Sequence, residues 1–205
     1  LRTGSSVAVV GDREIGKSSL LKAICRLAES QLQPFRQPVY LNLQPLKNED
    51  DFYSALCDQA EIGDPDRPIK GYQLVRALRK RPLLIAIDEV ENKQVFTSAV
   101  RSQLRGLAEG SDAPLRLVLA ASQSLDQLFQ DEGMTSPFPN IFIEEKIGLW
   151  DEVTSRAFIL DRLNSTSVTF TEEEISQIIA ETGGHPQKLM RRCYEIYARY
   201  MEAKP

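Results

Sequence analysis

The chain has 205 residues, 42% of them hydrophobic, and a formal net charge of −4. That length holds one sizeable core with a small appended domain, and the acidic balance gives no support for a general nucleic-acid-binding face. Cys25, Cys57 and Cys193 are odd in number and widely spaced, which argues against a disulfide framework or a zinc site and for the reduced thiols of a cytosolic protein. No apolar run approaches the ~20 residues that span a bilayer, and no signal peptide opens the chain. Leu1 is no natural start, so the sequence reads as a piece of a longer protein.

The first element is the apolar run Val7–Val10, a buried-type strand, followed at once by Gly11-Asp-Arg-Glu-Ile-Gly16-Lys17-Ser18-Ser19. This is G-x-x-x-x-G-K-[ST] in its required setting, because a helical pattern (Leu20, Leu21, Lys22, Ala23, Ile24) comes next. Gly11, Asp12, Arg13, Glu14, Ile15, Gly16, Lys17, Ser18 and Ser19 are therefore candidate phosphate-binding residues. Glycines let backbone N–H groups turn inward around phosphates, and the helix N-terminus adds partial positive charge. Lys17 is expected to reach the β- and γ-phosphates and the Ser18 hydroxyl to ligate Mg²⁺.

Pro38–Leu43 reads as the second strand. Helices over Asp50–Ile62 and Lys70–Arg79 follow, separated by a turn-rich segment over 63–68. Leu83–Ile87 is a continuous apolar run, as expected of a strand buried on both faces of a parallel sheet. It ends in Asp88-Glu89. Ligands bind at the carboxyl ends of such strands, so Asp88 is a candidate for holding Mg²⁺ from beyond its directly bound oxygens and Glu89 for orienting or activating an attacking water. A helix is predicted over Asn92–Glu109, then a strand over Leu115–Ala121. Ser124 caps a short helix, Leu125–Gln130, and a loop over Asp131–Asn140 leads into a last strand, Ile141–Ile147.

Beyond Leu149 the pattern is helical only: Asp151–Leu163, a capping-box helix from Thr171 to Glu181, and a final helix from Pro186 to about Met201. The split near Gly148-Leu149 divides the chain into residues 1–148, a nucleotide-binding core, and residues 149–205, a helical lid. Trp150 at that junction reads as packing between the two.

These motifs resemble those of the AAA+/STAND ATPases, and Gly11-Asp-Arg-Glu-Ile-Gly-Lys-Ser-Ser-Leu-Leu21 is similar to the archaeal-type and bacterial STAND group. The resemblance implies an α/β P-loop NTPase three-layer sandwich with a parallel five-stranded sheet in the order 5-1-4-3-2 and a C-terminal all-α lid. It implies ATP or ADP with Mg²⁺ as ligands. Gly184-His185-Pro186 matches the G-x-P lid motif that contacts the base, so Pro186 is expected on the base and His185 lining the pocket. Ser122 takes the place of the polar sensor residue, with Gln123 as its near alternative; a plain helix-cap region is the competing reading. Asn42 matches the polar residue that in the family pairs with the Walker B glutamate, here Glu89 after Asp88, against a local backbone role.

The chain also departs from that family. No arginine stands in Ser136–Asn140, where an arginine finger is often found, and Gln187 with Lys188 follows Pro186 where a second sensor arginine is expected. The base-binding linker expected before the first strand is not among these residues. A finger is worth roughly 10³–10⁵ in rate, so slow turnover is expected alone. Arg101, Arg105 and Arg116 are candidates for partner contacts, against solvated surface positions.

The resemblance implies an ATP-driven switch of a STAND signalling or defence protein, located in the cytoplasm, self-associating or acting on effector domains of its own polypeptide. The alternative is a DNA-associated AAA+ loader or transposition-helper ATPase related to origin-recognition proteins, with nucleic acid reached only through parts outside these residues. The acidic balance and the lack of a basic helix in this reading weigh against that alternative. A scaffold that binds nucleotide without hydrolysing it is disfavoured by Glu89.

Overall fold

The computed structural model describes residues 5–64, 67–129 and 137–202. Five parallel strands form one sheet: β1 (Ser6–Val10), β2 (Gln37–Asn42), β3 (Leu83–Asp88), β4 (Leu115–Ala121) and β5 (Phe142–Lys146), in the order β2-β3-β4-β1-β5. Read from the other edge this is the expected 5-1-4-3-2. Every residue of β3 and β4 is buried, which is why β3 is an apolar run up to Asp88 and β4 is apolar but for Arg116: helices cover both faces of the sheet. β5 is an edge strand and mostly exposed, and its Glu144, Glu145 and Lys146 discourage pairing with a further strand.

Helix α1 (Lys17–Gln31) packs across β2, β3 and β4, α2 (Glu49–Ala60) against β2, and α4 (Ser98–Ala108) against β4. Helix α3 (Gly71–Lys80) buries Leu74 and Leu78. Its first residue is tied to α4 by Gln103, which accepts from Gly71 N (3.2 Å) and donates to Gly71 O (2.8 Å). A one-turn helix α5 (Leu125–Leu128) is capped by Ser124, as expected, and a 3₁₀ turn runs over Phe138–Ile141. The core includes the linked rings of Phe52, Phe96, Phe129, Phe138 and Phe142, with successive centroids 5.0–6.3 Å apart. Each such buried side chain contributes about 1.5–3 kcal/mol relative to exposure.

The predicted helix over Asn92–Glu109 starts late. Asn92 spends its side-chain amide on the carbonyls of Leu43 (2.9 Å) and Leu46 (3.1 Å), and residues 92–97 turn; Thr97 then caps α4 by accepting from Val100 N at 3.2 Å. An amide that satisfies two loop carbonyls outweighs one more helical turn. The predicted loop over 131–140 falls partly outside the described residues.

The chain divides into two compact units. The sheet and its helices, through Lys146, form one. The other takes in Asp12–Gly16 and the segment from Ile147, with α6 (Glu152–Leu163), α7 (Glu172–Thr182) and α8 (Pro186–Glu202). These three helices enclose their own core of Ile159, Val168, Phe170, Ile175, Ile178, Leu189 and Ile196. The capping box at Thr171 is present: its side chain accepts from Glu174 N, and the Glu174 carboxylate accepts from Thr171 N. Trp150 belongs to the helical unit. Its ring lies 5.0 Å from that of Phe158, and its N–H donates to Gly184 O at 2.8 Å.

Candidate functional site

Parallel pairing aligns the ends of neighbouring strands. Asn42 stands opposite Asp88, and Val10 opposite Ala121, with the ladder prolonged by Leu43 N to Asp88 O and Gly11 N to Ala121 O, both at 3.1 Å. The sheet therefore brings Gly11, Asn42, Asp88, Glu89 and Ser122 to one end, where α1 also begins with Lys17, Ser18 and Ser19. The Lys17 ammonium donates to Gly11 O at 2.7 Å, spanning the ends of the loop that joins β1 to α1. Within that loop Glu14 and Gly16 hold φ of 62° and 103° and Ile15 is buried, while Asp12 and Arg13 are exposed.

Asp88 is 4% exposed, and both of its carboxylate oxygens are held. Oδ1 accepts from Glu89 N (3.1 Å) and Oδ2 from the Tyr40 hydroxyl (2.8 Å). Burial, then the Asp88 hydrogen bond and the Asp88 charge, push the Tyr40 phenol well above its ordinary value, so it stays protonated and donates at neutral pH. Tyr40 was not among the sequence candidates. Its only sequence signal is a tyrosine two residues before the polar end of a strand, which says nothing about its partner.

Glu89 is exposed and sits at φ 59°, left-handed for a residue with a Cβ. That conformation costs about 1–2 kcal/mol, and residues so strained cluster where function fixes the backbone. The turn that follows closes with Asn92 N on Glu89 O (3.1 Å). Glu91 extends back to accept from Ser122 N at 2.6 Å, fixing the end of β4. Ser122 itself is exposed, and the capping hydroxyl is that of Ser124. Asn42 uses its side-chain oxygen locally, accepting from Gln44 N at 2.9 Å.

In the helical unit Gly184, at φ 74°, faces the Trp150 backbone so closely that a Cβ would lie 1.9 Å from Trp150 O. His185 donates its N–H to Thr182 O and accepts from Leu189 N, and Pro186, buried, opens α8. The first-turn position suits a proline, whose missing N–H has no helical partner there.

The three arginines considered for partner contacts are engaged within the fold. Arg101 lies over the Phe129 ring (4.5 Å) and donates to Phe96 O; Arg105 donates to Pro137 O and pairs with Glu109. Arg116 is 3% exposed, with its guanidinium on the carbonyls of Leu115, Gly110 and Ser111. Conversely, a basic helix is present after all. From Arg67 to Arg81 there are six basic residues and no acidic one, and Tyr72, Arg76, Arg79 and Lys80 of α3 are exposed.

A Ser18 hydroxyl and a buried, doubly held Asp88 carboxylate are hard oxygen donors of the kind Mg²⁺ takes when its remaining positions are water and phosphate. The donor set fits that ion. No cluster of three or more His, Cys, Asp or Glu residues suited to a metal occurs among the described residues, and none of the described helices is long and apolar enough to cross a membrane.

A family model described as "AAA domain" matches residues 1–129, and the chain belongs to that family of P-loop ATPase domains. Among curated protein sequences, none matches it. Solved structures share the fold at low identity. The Aeropyrum pernix ORC2 protein, in ADPNP–ADP complexes, has a TM-score of 0.68 at 14% identity, over 96% of this chain and 57% of that one. The Thermotoga maritima RuvB Holliday junction branch migration motor has a TM-score of 0.65 at 18% identity, over 98% of this chain and 56% of that one. Drosophila ORC bound to DNA has a TM-score of 0.59 at 12% identity, over 96% of this chain and 49% of that one. The chain thus spans about half the length of the solved chains it resembles.

Proposed function

We propose that this chain is an ATP-binding and slowly hydrolysing domain whose nucleotide state drives a conformational switch. The observation that carries the reading is the clamped Asp88 with Glu89 beside it, at the same end of the sheet as Lys17 and Ser18. In this reading the loop from Gly11 to Gly16 wraps the phosphates, Lys17 leaves Gly11 O for the β- and γ-phosphates, and Glu89 orients the attacking water and takes its proton. Ser18 and Asp88 hold Mg²⁺, which when bound neutralises phosphate charge. Ser122 and Asn42 line the γ-phosphate end, and His185 and Pro186 belong to the base. Residues 1–148 act as the nucleotide-binding core and 149–205 as its lid.

Titration calorimetry with ATP and ADP, together with phosphate release, tests this. Wild type should bind both, Lys17→Ala should lose at least ~10-fold in affinity, and Glu89→Gln should keep affinity while losing about 10²-fold or more in turnover. A wild-type chain that binds neither nucleotide would overturn the proposal.

Two settings suit such a domain: a STAND-type signalling or defence protein, and a DNA-associated ATPase. The basic, tyrosine-bearing surface of α3 favours the second, since clustered cations around an exposed ring suit a phosphate backbone with stacked bases. The origin-recognition and branch-migration likenesses support the same choice. Duplex and single-stranded binding that falls steeply with salt, and falls further in an Arg76→Glu/Arg79→Glu variant, is the expected result. Binding that is undetectable at low salt would return the choice to the signalling setting.

A further inference from the structure

The chemistry expected of Asp88 needs its carboxylate in one orientation, and two donors set that orientation. One is the backbone N–H of Glu89, which any residue would supply. The other is the Tyr40 hydroxyl at 2.8 Å, which only this side chain supplies. A strand position between buried Val39 and Leu41 could be filled by phenylalanine for packing alone. The hydroxyl is therefore the informative atom. Tyr40 is also held from its ring side: the Lys22 ammonium of α1 lies 5.2 Å from the ring centroid. The same helix carries Ser18 in its first turn, so the phenol bridges the two elements that present the oxygen donors suited to Mg²⁺.

We propose that Tyr40 is a positioning residue for the metal-dependent step, fixing the Asp88 carboxylate through its hydroxyl and tying that orientation to α1. This rests on the ATPase reading above. A carboxylate whose two oxygens are both engaged cannot rotate about its terminal bond without losing both donors, so its remaining lone pairs keep a constant direction. Removing such a supporting partner at a metal site typically costs 10–100-fold in metal affinity or activity. Tyr40→Phe keeps the ring, the packing and the Lys22 contact and removes only the donor.

The test uses the full chain with ATP, each variant measured in Mg²⁺ and in chelator. For Tyr40→Phe the affinity for metal-free ATP should stay within about twofold of wild type. The gain that Mg²⁺ brings should shrink about 10-fold, and kcat at limiting Mg²⁺ should fall and recover in part as Mg²⁺ is raised. Asp88→Asn and the double variant complete a cycle. If Tyr40 acts through Asp88, the double variant is no worse than Asp88→Asn alone. Equal losses with and without Mg²⁺, no loss in either, or additive effects in the cycle would overturn the inference while leaving the ATPase reading intact. A wild type that binds no ATP overturns the ATPase reading, and the inference falls with it.

Discussion

Gly183 and Gly184 are adjacent and both left-handed, at φ 57° and 74°, yet they differ in what a methyl group would meet. At Gly183 an added Cβ has nothing within 4 Å, so Gly183→Ala should cost only the conformational term, about 1 kcal/mol once the stiffer unfolded chain is credited. At Gly184 the Cβ would stand 1.9 Å from Trp150 O and 3.0 Å from Trp150 C. Both atoms are backbone, so relief requires the Trp150 segment to retreat. That retreat breaks the 2.8 Å bond from Trp150 N to Gly184 O, worth about 0.5–1.5 kcal/mol, in addition to the roughly 1–2 kcal/mol of left-handed strain. Gly184→Ala should therefore destabilise the helical unit by about 1.5–3.5 kcal/mol. Trp150 is the only tryptophan in the chain, so its fluorescence during urea unfolding reports directly on this contact. With a common slope of about 2 kcal/mol/M, the midpoint for Gly184→Ala should drop by about 1 M or more and that for Gly183→Ala by about half a molar. Equal midpoints for the two variants would refute the steric argument.

Two further outcomes follow from contacts described above. Asn92 donates to two loop carbonyls, so Asn92→Ala should cost about 2 kcal/mol and Asn92→Asp more, because a carboxylate of the same shape offers only acceptors to those carbonyls; denaturant midpoints ranking Asp above Ala would contradict this. Burial pushes the Cys193 thiol up to about 11. The folded state thus holds that proton more tightly than the unfolded chain, so the thiol's share of stability is intact below the ordinary thiol range and is lost as pH rises through about 11. The stability advantage of wild type over Cys193→Ala should shrink between about pH 9 and 11, measured by melting at each pH; a constant difference would disprove the shift.

Much of the α/β architecture was legible because its physics is local. β1, β3 and, but for Arg116, β4 announce themselves as apolar runs, since both faces of a central parallel strand are buried. Thr171 and Glu174 spell out a capping box within four residues. The phosphate loop is equally local. What failed to show was pairing across the sheet. Nothing in the sequence ties Tyr40 to Asp88, 48 residues away, or assigns the Asn92 amide to loop carbonyls instead of a helix. Charge misled in both directions. An arginine reads as a surface residue by default, yet carbonyl oxygens at and just before the start of β4 take Arg116 in. The basic run over 67–81 was averaged away by an acidic total, although one face of one helix is what a partner would meet.

The left-handed backbone at Glu89 carries an evolutionary consequence. A glycine there would shed the strain of φ 59° and, after its own entropic cost, leave the fold more stable by about 0.5–1 kcal/mol. The carboxylate that would take the water's proton thus occupies a position where the cheapest change is its own loss. A descendant freed from the need to hydrolyse would be expected to drift toward a tighter, silent binder through a single substitution, while a descendant that keeps glutamate at this turn does so against the gradient of stability.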